Sequence, residues 1–191
     1  MLERLLSGAH RLSTWLVWVA GALLIASALL VTVEVLLRKF ANISVGGADE
    51  LSGYAFGIAT ALAMSFALFE RAHIRVDAAY LFFPRWLRRV ADLVGVVLLI
   101  GFAAVITQTG WGLLADTIEY GSRSITPMRT PLLYVQLPWL AGWIYFVLCG
   151  LLVIVAAITW LATGKAAKTD AMLAAKSLQE QIDEEQVNEK D

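Results

Sequence analysis

Of 191 residues, one is a cysteine, Cys149, and two are histidines, His10 and His73, while Asp, Glu, Lys and Arg together make up only 16%. Each shortage excludes something. A lone cysteine cannot form an intrachain disulfide or a thiolate metal site. Both histidines lie outside the apolar runs, so a haem held between membrane helices would lack its ligands. The apolar runs carry no His/Asp/Glu cluster for a metal and no Ser/His/Asp set for nucleophilic catalysis. There is no Gly-rich phosphate loop. Helices broken by Gly and Pro at symmetric positions, which mark the substrate site of many transporters, are missing as well. The net charge of −1 gives no reason to expect a nucleic-acid partner.

What fills the chain instead is apolar: 59% of residues, with a mean hydropathy of +0.71, against about 45–50% apolar and about 25% charged in soluble domains. A helix needs roughly 20 apolar residues to cross a hydrocarbon core of about 30 Å. Four stretches qualify, at about 14–37, 51–69, 93–115 and 138–161. Spanning strands are shorter and alternate in polarity, so a barrel is excluded. The first run is too long for a signal peptide's apolar region of about 7–15 residues, and it is read as a retained helix. The expected fold is an all-α integral membrane protein with four transmembrane helices in residues 1–164. A polar, acidic helix or tail follows over 165–191. There is no internal repeat.

Lys and Arg concentrate in cytoplasmic segments near span ends. With both termini cytoplasmic, the inner segments collect Arg4, Arg11, Arg71, Arg75, Arg85, Arg88, Arg89, Lys165 and Lys168; the outer ones collect Arg38, Lys39, Arg123 and Arg129. Nine against four sets the orientation. Between the second and third spans, Tyr80, Leu81, Phe82, Phe83, Trp86 and Leu87 interleave with Arg85, Arg88 and Arg89, after Pro84. Aromatic rings favour headgroup depth while arginines reach water and lipid phosphate. A short amphipathic segment lying along the membrane surface is expected there, in contact with lipid.

Within the spans the one ionisable residue is Glu34, with Arg38 four residues on in the favourable order for a helix pair. The sequence leaves open whether this pair sets helix depth or meets a partner. In the second span Gly53, Gly57, Ala61 and Ser65 form one ridge of small residues, and Ala55, Ala59, Ala63 and Ala67 form another. Such ridges allow close helix approach in lipid, against neighbours in this chain or in another protein. Asp49 and Glu50 open that helix, where its dipole favours negative charge. At its other end "ERAHIRVD" places Glu70, Arg71, His73, Arg75 and Asp77 together. His73 is expected to fix the turn there by hydrogen bonds, with Arg71, Arg75 and Asp77 as fellow anchors.

The stretches "EVLLRKF" at 34–40, "ADELSGYAFGIATALAMSFALFERAHIRVD" at 48–77 and "ITPMRTPLLYVQLPWLAG" at 125–142, with the order of the spans, resemble the small four-span membrane subunit of tripartite ATP-independent periplasmic (TRAP) transporters, the DctQ-like family. The resemblance covers roughly residues 10–162 and excludes the acidic tail. It implies a non-catalytic subunit of the bacterial inner membrane. Its obligate partner is a large membrane subunit that carries the substrate and Na⁺ sites, and a periplasmic binding protein delivers the solute. A sodium gradient would then drive import of organic acids or related solutes. No cofactor is expected in this chain. On this reading Arg123 and Arg129 are candidates for docking the binding protein, and Gly53, Gly57, Ala61 and Ser65 for helix packing or large-subunit contact. Two other functions are weighed against it. A stand-alone homo-oligomeric transporter asks for a charge near mid-membrane, and Glu34 is too close to one end. A membrane redox or enzyme subunit asks for the buried polar clusters that are missing.

Overall fold

The computed structural model describes residues 1–44, 46–72 and 84–173. These form five helices: α1 (Leu2–Ala41), α2 (Ala48–Phe69), α3 (Arg85–Tyr120), α4 (Leu133–Ala162) and α5 (Ala166–Leu173). Among the described residues there is no strand, only an isolated bridge between Arg123 and Pro131. The first four helices are long and apolar enough to cross a membrane. The chain is an all-α, multi-pass membrane protein.

The helices outlast the apolar runs. At 1.5 Å per residue, α1 is about 60 Å long and α3 about 54 Å, well beyond a hydrocarbon core of about 30 Å. α1 continues through the first turns to Leu2, and α3 absorbs Arg85, Trp86, Arg88 and Arg89 into its own first turns, with Pro84 as its N-cap residue. The rest of the expected interfacial segment, residues 80–83, lies outside the described residues. α4 begins at Leu133 and carries Pro138 inside it. The connection between the third and fourth spans is therefore shorter than the sequence suggested, running from 121 to 132.

Helix ends are set by backbone geometry. Asn42 closes α1 in the left-handed region (φ 53°), which Asn tolerates better than most residues. α4 ends in a Schellman motif: Lys165 N–H donates to Trp160 O at 2.8 Å and Gly164 N–H to Leu161 O at 3.2 Å, with Gly164 at φ 73°. α2 ends in the same way, Ala72 N–H on Ala67 O at 3.0 Å and Arg71 N–H on Leu68 O at 3.2 Å, but with Arg71 in the left-handed position (φ 58°).

α4 is the hub. It packs against α1, α2, α3 and α5, whereas α1 packs chiefly on α2, and α3 chiefly on α4. α1 and α3 thus lie on opposite flanks. The core runs along α4, where Phe146, Cys149, Val153, Ala156 and Ala157 meet Leu68 of α2 and Val96, Ile100 and Ala103 of α3. Small residues make the closeness possible. A Cβ on Gly142 would lie 2.8 Å from the Ala61 carbonyl carbon, one on Gly110 would lie 2.8 Å from the Trp139 ring, and one on Gly150 would overlap Ile100. Without a hydrophobic force between helices in lipid, such contact is what holds them together.

Candidate functional site at the two ends of the bundle

The polar side chains collect at the ends of the bundle. At the end where α1 stops and α2 starts, Glu34 is only 3% exposed. It accepts hydrogen bonds from Arg38 Nη2 at 2.9 Å and from Ser44 Oγ at 2.6 Å. The ion pair is one-sided, because the guanidinium side chain is 62% exposed while the Glu34 side chain is 4%. A buried carboxylate needs such donors to offset its lost hydration. Glu34 therefore ties the end of α1 to the connection that follows, beyond pairing along its own helix.

Glu50, in the first turn of α2, does a second piece of joining. It accepts from Tyr54 OH at 2.7 Å and from Thr126 Oγ1 of the 121–132 connection. Ser124 Oγ and Thr126 Oγ1 share a hydrogen bond at 2.7 Å, and Ser124 N–H donates to Thr130 O at 2.9 Å, folding the connection back on itself. Met128 sits where a Cβ on Gly47 would be, and Gly47 holds φ 117°. Only glycine adopts that backbone freely, so Gly47 both starts α2 and receives Met128. With its inner side fixed on α2, the connection presents Arg123, Ile125 and Arg129 outward, all exposed. Arg123 Nη1 reaches the Arg129 carbonyl at 3.5 Å, and Arg129 takes a left-handed turn (φ 48°).

At the opposite end the contact is made by the histidine that sequence reasoning passed over. His10 Nε2 of α1 lies 3.1 Å from Glu70 Oε1 at the end of α2, over the rings of Phe66 and Phe69. Nearby, Tyr145 OH of α4 donates to the Ala9 carbonyl at 2.7 Å and lies 3.4 Å from Ser13 Oγ. His73, Arg75 and Asp77 lie outside the described residues. Arg71 is at the turn described above, and Arg88 is exposed on α3. Arg89 donates through Nε and Nη2 to the two carboxylate oxygens of Asp170, each at 2.7 Å. Trp86 is 65% exposed, as a ring at headgroup depth would be in a single chain.

The ridge of small residues divides between two environments. Ala61 and Ser65 are buried, and Ala61 and Gly57 face α4 through Gly142 and Trp139. Gly53 stands open, with nothing within 4 Å of an added Cβ. Three of the four ridge residues are thus spent on packing within the chain. Among the described residues no group of three His, Cys, Asp or Glu side chains comes together. Several joining residues escaped the sequence reading: His10, Tyr145, Thr126, Met128 and Asp170. Their partners lie tens of residues away and leave no local pattern.

The family model described as "Tripartite ATP-independent periplasmic transporters, DctQ component" matches residues 27–163, well over half of the chain. The chain belongs to the DctQ family. The match begins inside α1, ends one residue beyond α4, and takes in both Glu34 and the Glu50–Thr126 contact. Comparison with curated proteins and with solved structures gave no match. As a DctQ member, the chain is a membrane component of a tripartite transporter. The match covers the last part of α1 and all of α2, α3 and α4.

Proposed function

We propose that this DctQ protein is the non-catalytic small membrane subunit of a sodium-driven TRAP transporter, bracing a large transport subunit during import of an organic acid or related solute. The observation that carries the reading is the family match over residues 27–163. The physical character of the chain supports it. Its polar groups tie helices to neighbouring segments: Glu34 of α1 to Ser44 in the connection that follows, Glu50 of α2 to Thr126 of the 121–132 connection, and Tyr145 of α4 to Ala9 of α1. A chain whose polar chemistry goes into its own rigidity suits a brace. Na⁺ and substrate sites then belong to the large subunit. The protein lies in the bacterial inner membrane with both termini in the cytoplasm, as the distribution of Lys and Arg indicates.

In this orientation the 121–132 connection faces the periplasm, and Arg123 and Arg129 form a candidate contact for the binding protein. Exposed charges of one sign speed and orient the encounter of two proteins more than they add to affinity.

Co-purification tests the main reading. A tagged chain extracted from its own host in mild detergent should bring down a large polytopic membrane protein in near-equal amount. A folded, monodisperse chain without that partner would overturn it and move attention to a homo-oligomeric transporter. Uptake in cells carrying Arg123→Glu with Arg129→Glu tests the docking contact. Uptake should fall and its dependence on ionic strength should weaken, and unchanged uptake would remove these arginines from the interface.

A further inference from the structure

The geometry points to α5 as a strap that fastens the two flanking helices, α1 and α3, across the end of the bundle at which both begin. α1 and α3 are each joined to the centre through α4, and α1 also through α2, but not substantially to one another. α5 reaches both. Lys168 Nζ donates to Glu3 Oε1 of α1 at 2.6 Å. Two residues on, Asp170 accepts the two-pronged hydrogen bond of Arg89 on α3, both at 2.7 Å. Between these two, Thr169 is 2% exposed with its hydroxyl 3.4 Å from the Ala157 carbonyl of α4. Met172 packs against the core cluster that holds Leu6 of α1 and Ala157. Lys168 also lies 5.9 Å from the Trp160 ring. One element thus contacts three helices, with each flank tied by an ion pair.

Two properties make this strap releasable. Both ties reach solvent, with side-chain exposures of 52% and 66% for Lys168–Glu3 and, half-buried, 34% and 40% for Arg89–Asp170. Exposed pairs are screened by salt, and the screening length falls from about 30 Å at 0.01 M to about 3 Å at 1 M. Gly164, in a left-handed turn with nothing within 4 Å of an added Cβ, supplies a pivot between α4 and α5. The family match ends at residue 163, so the strap lies outside it and its argument does not depend on the transporter assignment.

The test is a pair of distance distributions measured by electron spin resonance on the full chain in lipid nanodiscs, in a Cys149→Ala background. Labels at Leu5→Cys and Val90→Cys, both at exposed positions, report the strapped end. Labels at Lys39→Cys and Ile118→Cys, also exposed, report the opposite end. At low salt the strapped-end distribution should be narrow. High salt, or Lys168→Gln with Asp170→Asn, should make it roughly twofold broader while the opposite end stays unchanged. Exchanging the charges, Lys168→Glu with Glu3→Lys and Asp170→Arg with Arg89→Asp, should restore the narrow distribution. Unchanged width at the strapped end would overturn the inference. Equal broadening at both ends would overturn it too, since that is general loosening.

Discussion

Two glycines separate packing from propensity at the scale of single residues. Gly142 faces the backbone of Ala61, which cannot turn aside as a long side chain can, and an added Cβ would lie 2.8 Å from its carbonyl carbon. Gly53, on the ridge of small residues, has nothing within 4 Å. Overpacking a close contact costs about 1–3 kcal/mol, whereas a helical glycine replaced by alanine in open space gains roughly 0.5–1 kcal/mol of backbone entropy. Gly142→Val should therefore lower the thermal midpoint of the purified chain by several degrees, and Gly53→Ala should leave it unchanged or raise it. A drop for Gly53→Ala confined to the intact complex would instead place that position against the large subunit. Tyr145→Phe belongs at the same scale. It removes the hydroxyl that joins α4 to the Ala9 carbonyl, and interhelical hydrogen bonds in membranes average about 0.6 kcal/mol. The expected loss is small, measurable by denaturant titration in micelles, and absent only if Ser13 takes over the carbonyl.

At the scale of elements, the 121–132 connection is tied to the start of α2 chiefly through Glu50, with Met128 seated at Gly47. Thr126→Val keeps the shape and removes one hydroxyl that reaches Glu50. A hydrogen bond to a charged group contributes about 1.5–3 kcal/mol, so local opening of the connection should become at least about tenfold more populated. Cleavage by trypsin after Arg123 and Arg129 follows that population when closing is fast. Faster appearance of those two fragments, identified by mass, is the expected result, and equal rates would show that the connection holds itself without this hydroxyl. This contact also marks the boundary of what the sequence made legible. The four helices could be read because apolarity is a property of composition and needs no partner. Glu50 was read only as a residue favoured by its own helix dipole, because Thr126 is 76 residues away and neither residue is periodic. Arg71 was named as an anchor of its turn, but the left-handed backbone it takes there is normally signalled by glycine, and no glycine marks it. α5 was legible as a helix former, but its docking depends on Glu3 and Arg89, which no local pattern connects to it.

The molecule as a whole is an open row rather than a closed bundle, and that shape bears on how it sits in the membrane. A third of the apolar window of α4 is buried inside the chain, against 6% of that of α1. α4 is therefore the most enclosed of the four spans, while α1 shows Trp15, Trp18, Ile25 and Leu29 to lipid or to another protein. One crossing, that of α4, puts α5 and the 121–132 connection on opposite sides, and in the proposed orientation α5 is the cytoplasmic one. Single cysteines in a Cys149→Ala background test both statements with a membrane-impermeant thiol reagent. Ile125→Cys, at a fully exposed position on the connection, should react in cells whose outer membrane alone has been opened. Ala167→Cys, exposed on α5, should react only once the inner membrane is broken. The two halves of the result fail separately. Reaction of Ala167→Cys but not Ile125→Cys in unbroken cells would reverse the orientation and move Arg123 and Arg129 away from any periplasmic protein, leaving the fold intact. Reaction of both from the same side would contradict the crossing by α4, and with it the assignment of four spanning helices.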